Sequence, residues 1–138
     1  MAEQIILNTD LYDNLLTERK GDYTAKPRIT GTLYNTDIAA RIVAARTEYQ
    51  HGTILNILDM ADSHKVQAIA EGKSVVDGVG QYLVNVQGAF EGEKAQFEPG
   101  KHALGITYTM GKLLRETLKL VKVVAVSYTH LRAHETVL

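Results

Sequence analysis

Residues 71–88, EGKSVVDGVGQYLVNVQG, constrain the fold of this chain more than any other stretch. A helical pattern stops at Glu71-Gly72-Lys73, where the glycine can take the left-handed conformation that ends a helix. Residues 74–77 then read as a short apolar strand, Gly78-Val79-Gly80 as a tight turn, and 81–87 as an alternating strand.

The flanking periodicity extends this unit. Upstream, Thr36 can cap a helix and Asp37 favours the positive end of its dipole. Ile38, Ile42 and Ala45 fall on one helical face. Residues 47–52 break the pattern. A second, longer helix runs to about Glu71, with Ile54, Ile57, Leu58, Ala61, Ala68 and Ile69 as its apolar stripe. In the hairpin's second strand, Tyr82, Val84 and Val86 alternate with Leu83, Asn85 and Gln87. Further on, Leu104, Ile106 and Tyr108 alternate with Gly105, Thr107 and Thr109. Such period-2 patterns predict a sheet with one buried face. A last helix opens at Met110-Gly111-Lys112 and is expected to bury Leu114, Leu118 and Val121. At the N-terminus an apolar run, Ile5-Ile6-Leu7, precedes a polar segment, 8–14, and a turn at Arg19-Lys20-Gly21-Asp22. Residues 23–33 are strand-like, and Pro27 confines them to an edge or bent strand. The fold class is α+β, with no internal repeat.

Composition excludes several function classes. The 138 residues, 45% hydrophobic and 22% charged, suffice for one domain with a core, as in an ordinary soluble protein. With no cysteine, disulfides and thiolate metal sites are excluded. The first residues carry Glu3, Asp10 and Asp13 and do not read as a secretion signal. No stretch approaches the roughly 20 apolar residues of a membrane span. His51, His64 and His102 lack ligand spacing, and no Ser/His/Asp grouping or carboxylate pair supports catalysis. Gly78-Val79-Gly80 leads into a strand, lacks a third glycine and is not a phosphate loop. The chain is therefore expected to be non-enzymatic, with no cofactor, metal, membrane partner or small-molecule substrate. Its formal net charge of −1 leaves any nucleic-acid face to local clustering of cations.

The order of two helices, hairpin, arm-sized segment, strand and final helix resembles the HU/IHF family of DNA-bending proteins. Gly78-Val79-Gly80 stands where that family has Gly-Phe-Gly, and Gly111-Lys112-Leu113-Leu114 where it has Gly-Lys-x-Leu. The resemblance implies two N-terminal helices beneath a three-stranded antiparallel sheet with a β-arm over residues 88–102, then a C-terminal helix. It also implies a homodimer on double-stranded DNA in the cytoplasm, at the nucleoid. The additional N-terminal strand extension is similar to Bacteroidetes-type HU-like domains, which often precede an Ig-like domain. The expected division is 1–35 as the extension with its edge strand and 36–125 as the HU-like domain. The segment from Val126 to Thr136 resembles one translated frame of a transposon-based sequencing adapter. Residues 126–138 are therefore read as an artefact tail, and His130, His134 and Glu135 receive no functional weight. A genuine sequence, with a downstream domain, is expected to continue past Ala125.

The resemblance also supplies the candidate contacts. Lys112, Arg115 and Lys119 lie at i, i+3 and i+7 of the last helix and could meet phosphate, or could form an ordinary solvated face. Lys94, Lys101 and His102 are the arm candidates, against a plain exposed loop. Lys73 could approach the DNA backbone beside the hairpin, or merely complement a helix C-terminus. Lys26 and Arg28 flank Pro27 as a weaker basic strip. Phe90 and Phe97 could stack on or wedge between bases, or close a small satellite core. Here the chain departs from the family. Residues 88–102 hold two lysines against three glutamates and no arginine, Pro99 lies past their middle, and Thr109 stands where a basic residue is common. That balance motivates a rival from another class: an HU-fold dimerisation or protein-interaction scaffold that has lost DNA binding.

Overall fold

The computed structural model describes residues 4–13 and 21–129. They form an α+β architecture of three helices and two small sheets, in two compact units. One unit spans residues 33–116. The other joins the described residues before 33 to those from 117 onward.

The first unit is built on a helix pair. Helix α1 covers Asn35–Ala44 and helix α2 covers His51–Ala70. Tyr34, not Thr36, occupies the cap position of α1, because the Asp37 carboxylate reaches back to accept the Tyr34 backbone N–H at 2.8 Å. The backbone oxygen of Thr36 instead meets His51 Nε2 at 2.9 Å, and the Asn35 amide donates to Asp59 and Asp62 on α2. These polar stitches hold the helices where Ala39 and Ile54 bury between them. Both are core residues, but Ile57, placed on the predicted stripe, is exposed. Helix α2 ends as the glycine predicts: Gly72 takes φ 94°, its N–H donates to Ile69 O, and the Lys73 N–H donates to Ala68 O.

Strands β3 (Val75–Val76), β4 (Gly80–Gln87) and β5 (Ala103–Met110) form an antiparallel sheet in that order. Tyr82 pairs with Tyr108, Val84 with Ile106 and Val86 with Leu104, which gathers these side chains on one face as the alternation predicts; the face is not buried as expected, since Val86, Leu104, Ile106 and Tyr108 are all exposed. Gly80 has a specific reason to be glycine, since any Cβ there would collide with the Tyr108 ring lying over it. The Tyr108 hydroxyl donates to Val79 O at 2.7 Å.

Helix α3 covers Lys112–Leu118, shorter than the periodicity suggested. Val121, expected on that helix, opens strand β6 (Val121–Thr129), and Leu118 is exposed. β6 runs parallel to β1 (Ile5–Asp13), whose other edge pairs antiparallel with β2 (Tyr23–Pro27). Pro27 thus sits on an edge strand, as its missing N–H requires. β1 continues through the polar segment 8–13 that sequence alone left outside a strand. Residues 126–129 complete β6, while 130–138, including His130, His134 and Glu135, lie outside the described residues. The division at residue 125 thus falls within a strand, and the N-terminal strands and β6 form one sheet.

Asp77 organises the hairpin. Its Oδ1 accepts the N–H groups of both Val79 and Gly80 at 2.9 Å, and its Oδ2 meets Lys65 Nζ of α2 at 2.9 Å. The Lys65 hydrogen bond and the turn N–H groups hold its carboxyl below the usual carboxylate range. Such a group contributes stability above its unfolded pKa, and that stability is lost as pH falls through the lower folded value. Asp77→Ala is expected to lower unfolding free energy by about 2–4 kcal/mol at neutral pH. The deficit should shrink as wild type and variant are compared below about pH 4. Urea titrations across pH check both. Equal midpoints at pH 7 would remove Asp77 from this role.

Candidate nucleic-acid interface

The two glycine motifs quoted from the sequence lie against each other. Gly111 N–H donates to Val79 O at 2.9 Å and Leu114 N–H to Gly78 O at 3.2 Å. A Cβ at Gly111 would come within 2.7 Å of Gly78 O. The start of α3 is therefore docked on the hairpin turn, with the Gly111 and Leu114 amides bonded to it. Lys112 is exposed at this junction. Arg115, one turn on, donates from Nη2 to Met110 O at 3.0 Å, which fixes its guanidinium near the end of β5. Lys119 does not share their helix. It follows α3 in a turn and belongs to the other compact unit. The predicted i, i+3, i+7 row therefore reduces to Lys112 and Arg115.

Lys73 is exposed beyond the end of α2 and pairs with Glu71 at 3.3 Å. In the other unit, Arg28 forks onto Asp10, with Nη2 2.8 Å from Oδ1, and Lys26 lies 5.5 Å from the centre of the Tyr12 ring. These two cations are taken up by their own sheet.

Residues 88–102 contain no strand: the β4–β5 ladder stops at Gln87 and Ala103. The segment folds back on a histidine. His102 is 5% exposed, and its ring stacks on Phe90 at 3.8 Å between centroids and 8° between planes. Phe97 lies tilted at 5.6 Å. His102 Nδ1 accepts the Glu98 N–H at 2.8 Å, so Nε2 carries the proton and donates to Ala89 O at 2.9 Å. Gly88, with φ 105°, passes too close to the Lys101 carbonyl for any side chain. His102 is thus a structural residue of the loop, and its expected contact with DNA is corrected by its burial. The alternation that begins at Leu104 does not reveal this; the signal is two phenylalanines, Phe90 and Phe97, shortly before one histidine. Phe90 and Phe97 close the satellite core and remain 43% and 44% exposed. Lys94 and Lys101 are exposed on the same loop.

Among the described residues no group of three potential ligands could hold a metal ion, and no helix is long and apolar enough to cross a membrane.

These features agree with comparisons to known proteins. Residues 6–127 match the family model of the HU-type DNA-binding domain, and the chain belongs to that family. No curated protein matches the chain by sequence. Among solved structures, it is similar to a protein from Bacteroides vulgatus ATCC 8482 provisionally described as a bacterial DNA-binding protein. That likeness has a TM-score of 0.78 at 20% identity and covers 91% of this chain, which shows the fold. The chain spans about half the length of that relative, 50%. An Anabaena HU–DNA cocrystal structure matches over 62% of this chain and 97% of its own, with TM-score 0.48 and 19% identity.

His102→Ala should loosen the loop without unfolding the sheet. Exchange of the Glu98 amide is expected to accelerate by about tenfold or more, the consequence of losing one buried acceptor. Hydrogen exchange checks this, and unchanged Glu98 protection would show that the ring does not hold the loop.

Proposed function

We propose that this chain is a non-enzymatic, architectural DNA-binding module that contacts duplex DNA through phosphates and the minor groove with little sequence preference. The observation that carries the reading is family membership combined with the docking of the Gly111-Lys112 helix start on the glycine turn, which presents Lys112 and Arg115 beside the sheet. Lys94 and Lys101 supply cations at the other end of the β4–β5 ladder, Lys73 adds charge in the same unit, and Lys119 is a separate candidate contact of the other unit. A bacterial nucleoid in the cytoplasm is the compartment such a module would serve.

The working form is proposed to be a homodimer. In the helix–sheet unit, Val66, Ile69, Tyr82, Val84, Leu104 and Ile106 line an open apolar groove. Leu104 is 65% and Ile106 54% exposed, and only Ala39 and Ile54 are buried hydrophobics among the described residues. A single copy leaves this surface in water; a second copy, related by a two-fold axis, offers a matching face. Ile106→Glu is expected to shift the chain from dimer to monomer in sedimentation at tens of micromolar, on the scale of burying a few large apolar side chains. A wild-type monomer under the same conditions would contradict the dimer.

The acidic balance of residues 88–102 favours the scaffold alternative, and one experiment separates the two. Reversing Lys94, Lys101 and Lys112 to glutamate should weaken binding of a labelled duplex at least tenfold at low salt. It should also flatten the salt dependence, since each lost phosphate contact removes about 0.9 from the logarithmic slope. Fluorescence anisotropy reads both. Wild-type protein that leaves duplex, bent and nicked DNA unbound at micromolar concentration would favour the scaffold.

A further inference from the structure

We propose that His102 is a proton-operated latch: the neutral ring holds residues 88–102 closed, and protonation at Nδ1 releases them. The latch works whether or not the chain binds DNA. Both side-chain hydrogen bonds inside the loop end on this ring. Nε2 donates to Ala89 O at 2.9 Å, near the start of the loop, and Nδ1 accepts the Glu98 N–H at 2.8 Å, near its end. The Glu98 carbonyl in turn accepts the Lys101 and His102 N–H groups at 2.9 and 2.7 Å. One imidazole therefore ties together two backbone sites nine positions apart, with Phe90 stacked on it and Phe97 tilted against it.

A neutral imidazole has one donor and one acceptor, and the closed loop uses both. Protonation leaves the Ala89 bond intact but turns Nδ1 into a second donor, facing the Glu98 N–H. Two donors then meet, and the Glu98 amide loses its acceptor. The ring is 5% exposed, so the new charge is also held away from water. The face of Phe90 attracts a cation, but one such contact is weaker than a lost acceptor and a buried charge together.

The loop's other charged groups do not supply a partner. Glu91, Glu93, Lys94, Glu98 and Lys101 are all exposed, and among the described residues no carboxylate forms an ion pair with the ring. Its remaining neighbours, Gly88, Phe90 and Phe97, do not titrate. The closed loop holds the neutral ring and the open loop accepts the proton. Closure is therefore fully present at high pH and is lost as pH falls. Opening bares the covered faces of Phe90 and Phe97. It also adds a cation: two lysines against three glutamates give the loop a formal charge of −1, which the His102 proton cancels.

The test uses the full chain between about pH 7.5 and pH 5, the range in which histidine ordinarily exchanges its proton and carboxylates stay largely ionised. Nitrogen NMR of the imidazole follows protonation of His102. Hydrogen exchange, corrected for the intrinsic effect of pH, follows protection of the Glu98 amide. Glu98 protection is expected to fall by about tenfold or more on acidification, with the same midpoint as ring protonation. Protection along the β4–β5 ladder should change by less than about twofold, since the sheet does not depend on the loop. In His102→Gln, which carries no titrating ring, Glu98 protection should not respond to pH. A ring that protonates while Glu98 stays protected overturns the latch. So does a ring that stays neutral down to pH 5, or an acid response that persists in His102→Gln. If His102→Gln leaves Glu98 unprotected throughout, the wild-type midpoints decide: coincidence supports the latch, and separation overturns it.

Discussion

The contact between two glycine-bearing turns holds the helix–sheet unit in its shape. Gly111 can approach the hairpin because it carries no side chain, a Cβ there coming within 2.7 Å of Gly78 O, and Gly80 leaves room for the Tyr108 ring. Asp77 keeps the turn open to that approach by accepting its two N–H groups, and Lys65 ties the same carboxylate to α2. Thus α2, the β3–β4 turn, β5 and the start of α3 meet around one carboxylate and three glycines. The arrangement trades backbone freedom for closeness: glycines lose the most entropy on ordering, and the hydrogen bonds that closeness permits offset that loss.

What this rigid centre leaves exposed defines the functional problem. The unit buries little apolar surface by itself, so its open groove argues for a second copy. It also spreads its cations instead of clustering them, in a chain whose net charge is −1. The proposed binding of a duplex by such a surface combines a few phosphate contacts with the geometry of the proposed dimer. The loop over 88–102 fits this economy. Its aromatic–histidine cluster makes it a folded knob, unlike the cation-rich arm that the family resemblance implies.

Local pattern made much of the fold legible. Helices α1 and α2, the Gly72 stop, and strands β4 and β5 all announce themselves through periodicity or a single glycine, because their partners are near in sequence. The second sheet did not. β6 pairs parallel with β1, and Thr9 Oγ1 donates to Val124 O across 115 positions. Nothing near Val121 signals that partner, and the run from Leu113 to Val121 carries enough apolar residues to continue a helix on paper. β1 was obscured for the opposite reason: polar Asn8, Thr9 and Asp10 hide a strand whose ladder lies elsewhere. At the candidate site, Lys112 and Arg115 could be placed from the glycine motif. His102 could not, since its burial depends on the loop closing over it, and Lys119 was misplaced with the end of α3.

Sedimentation of the full chain with a fluorescent duplex tests the central claim most directly, because it reads DNA binding and self-association in one measurement. The account predicts that DNA co-sediments at low salt with two chains per site and is released as salt is raised. A chain that self-associates but leaves the duplex sedimenting as free DNA would contradict it.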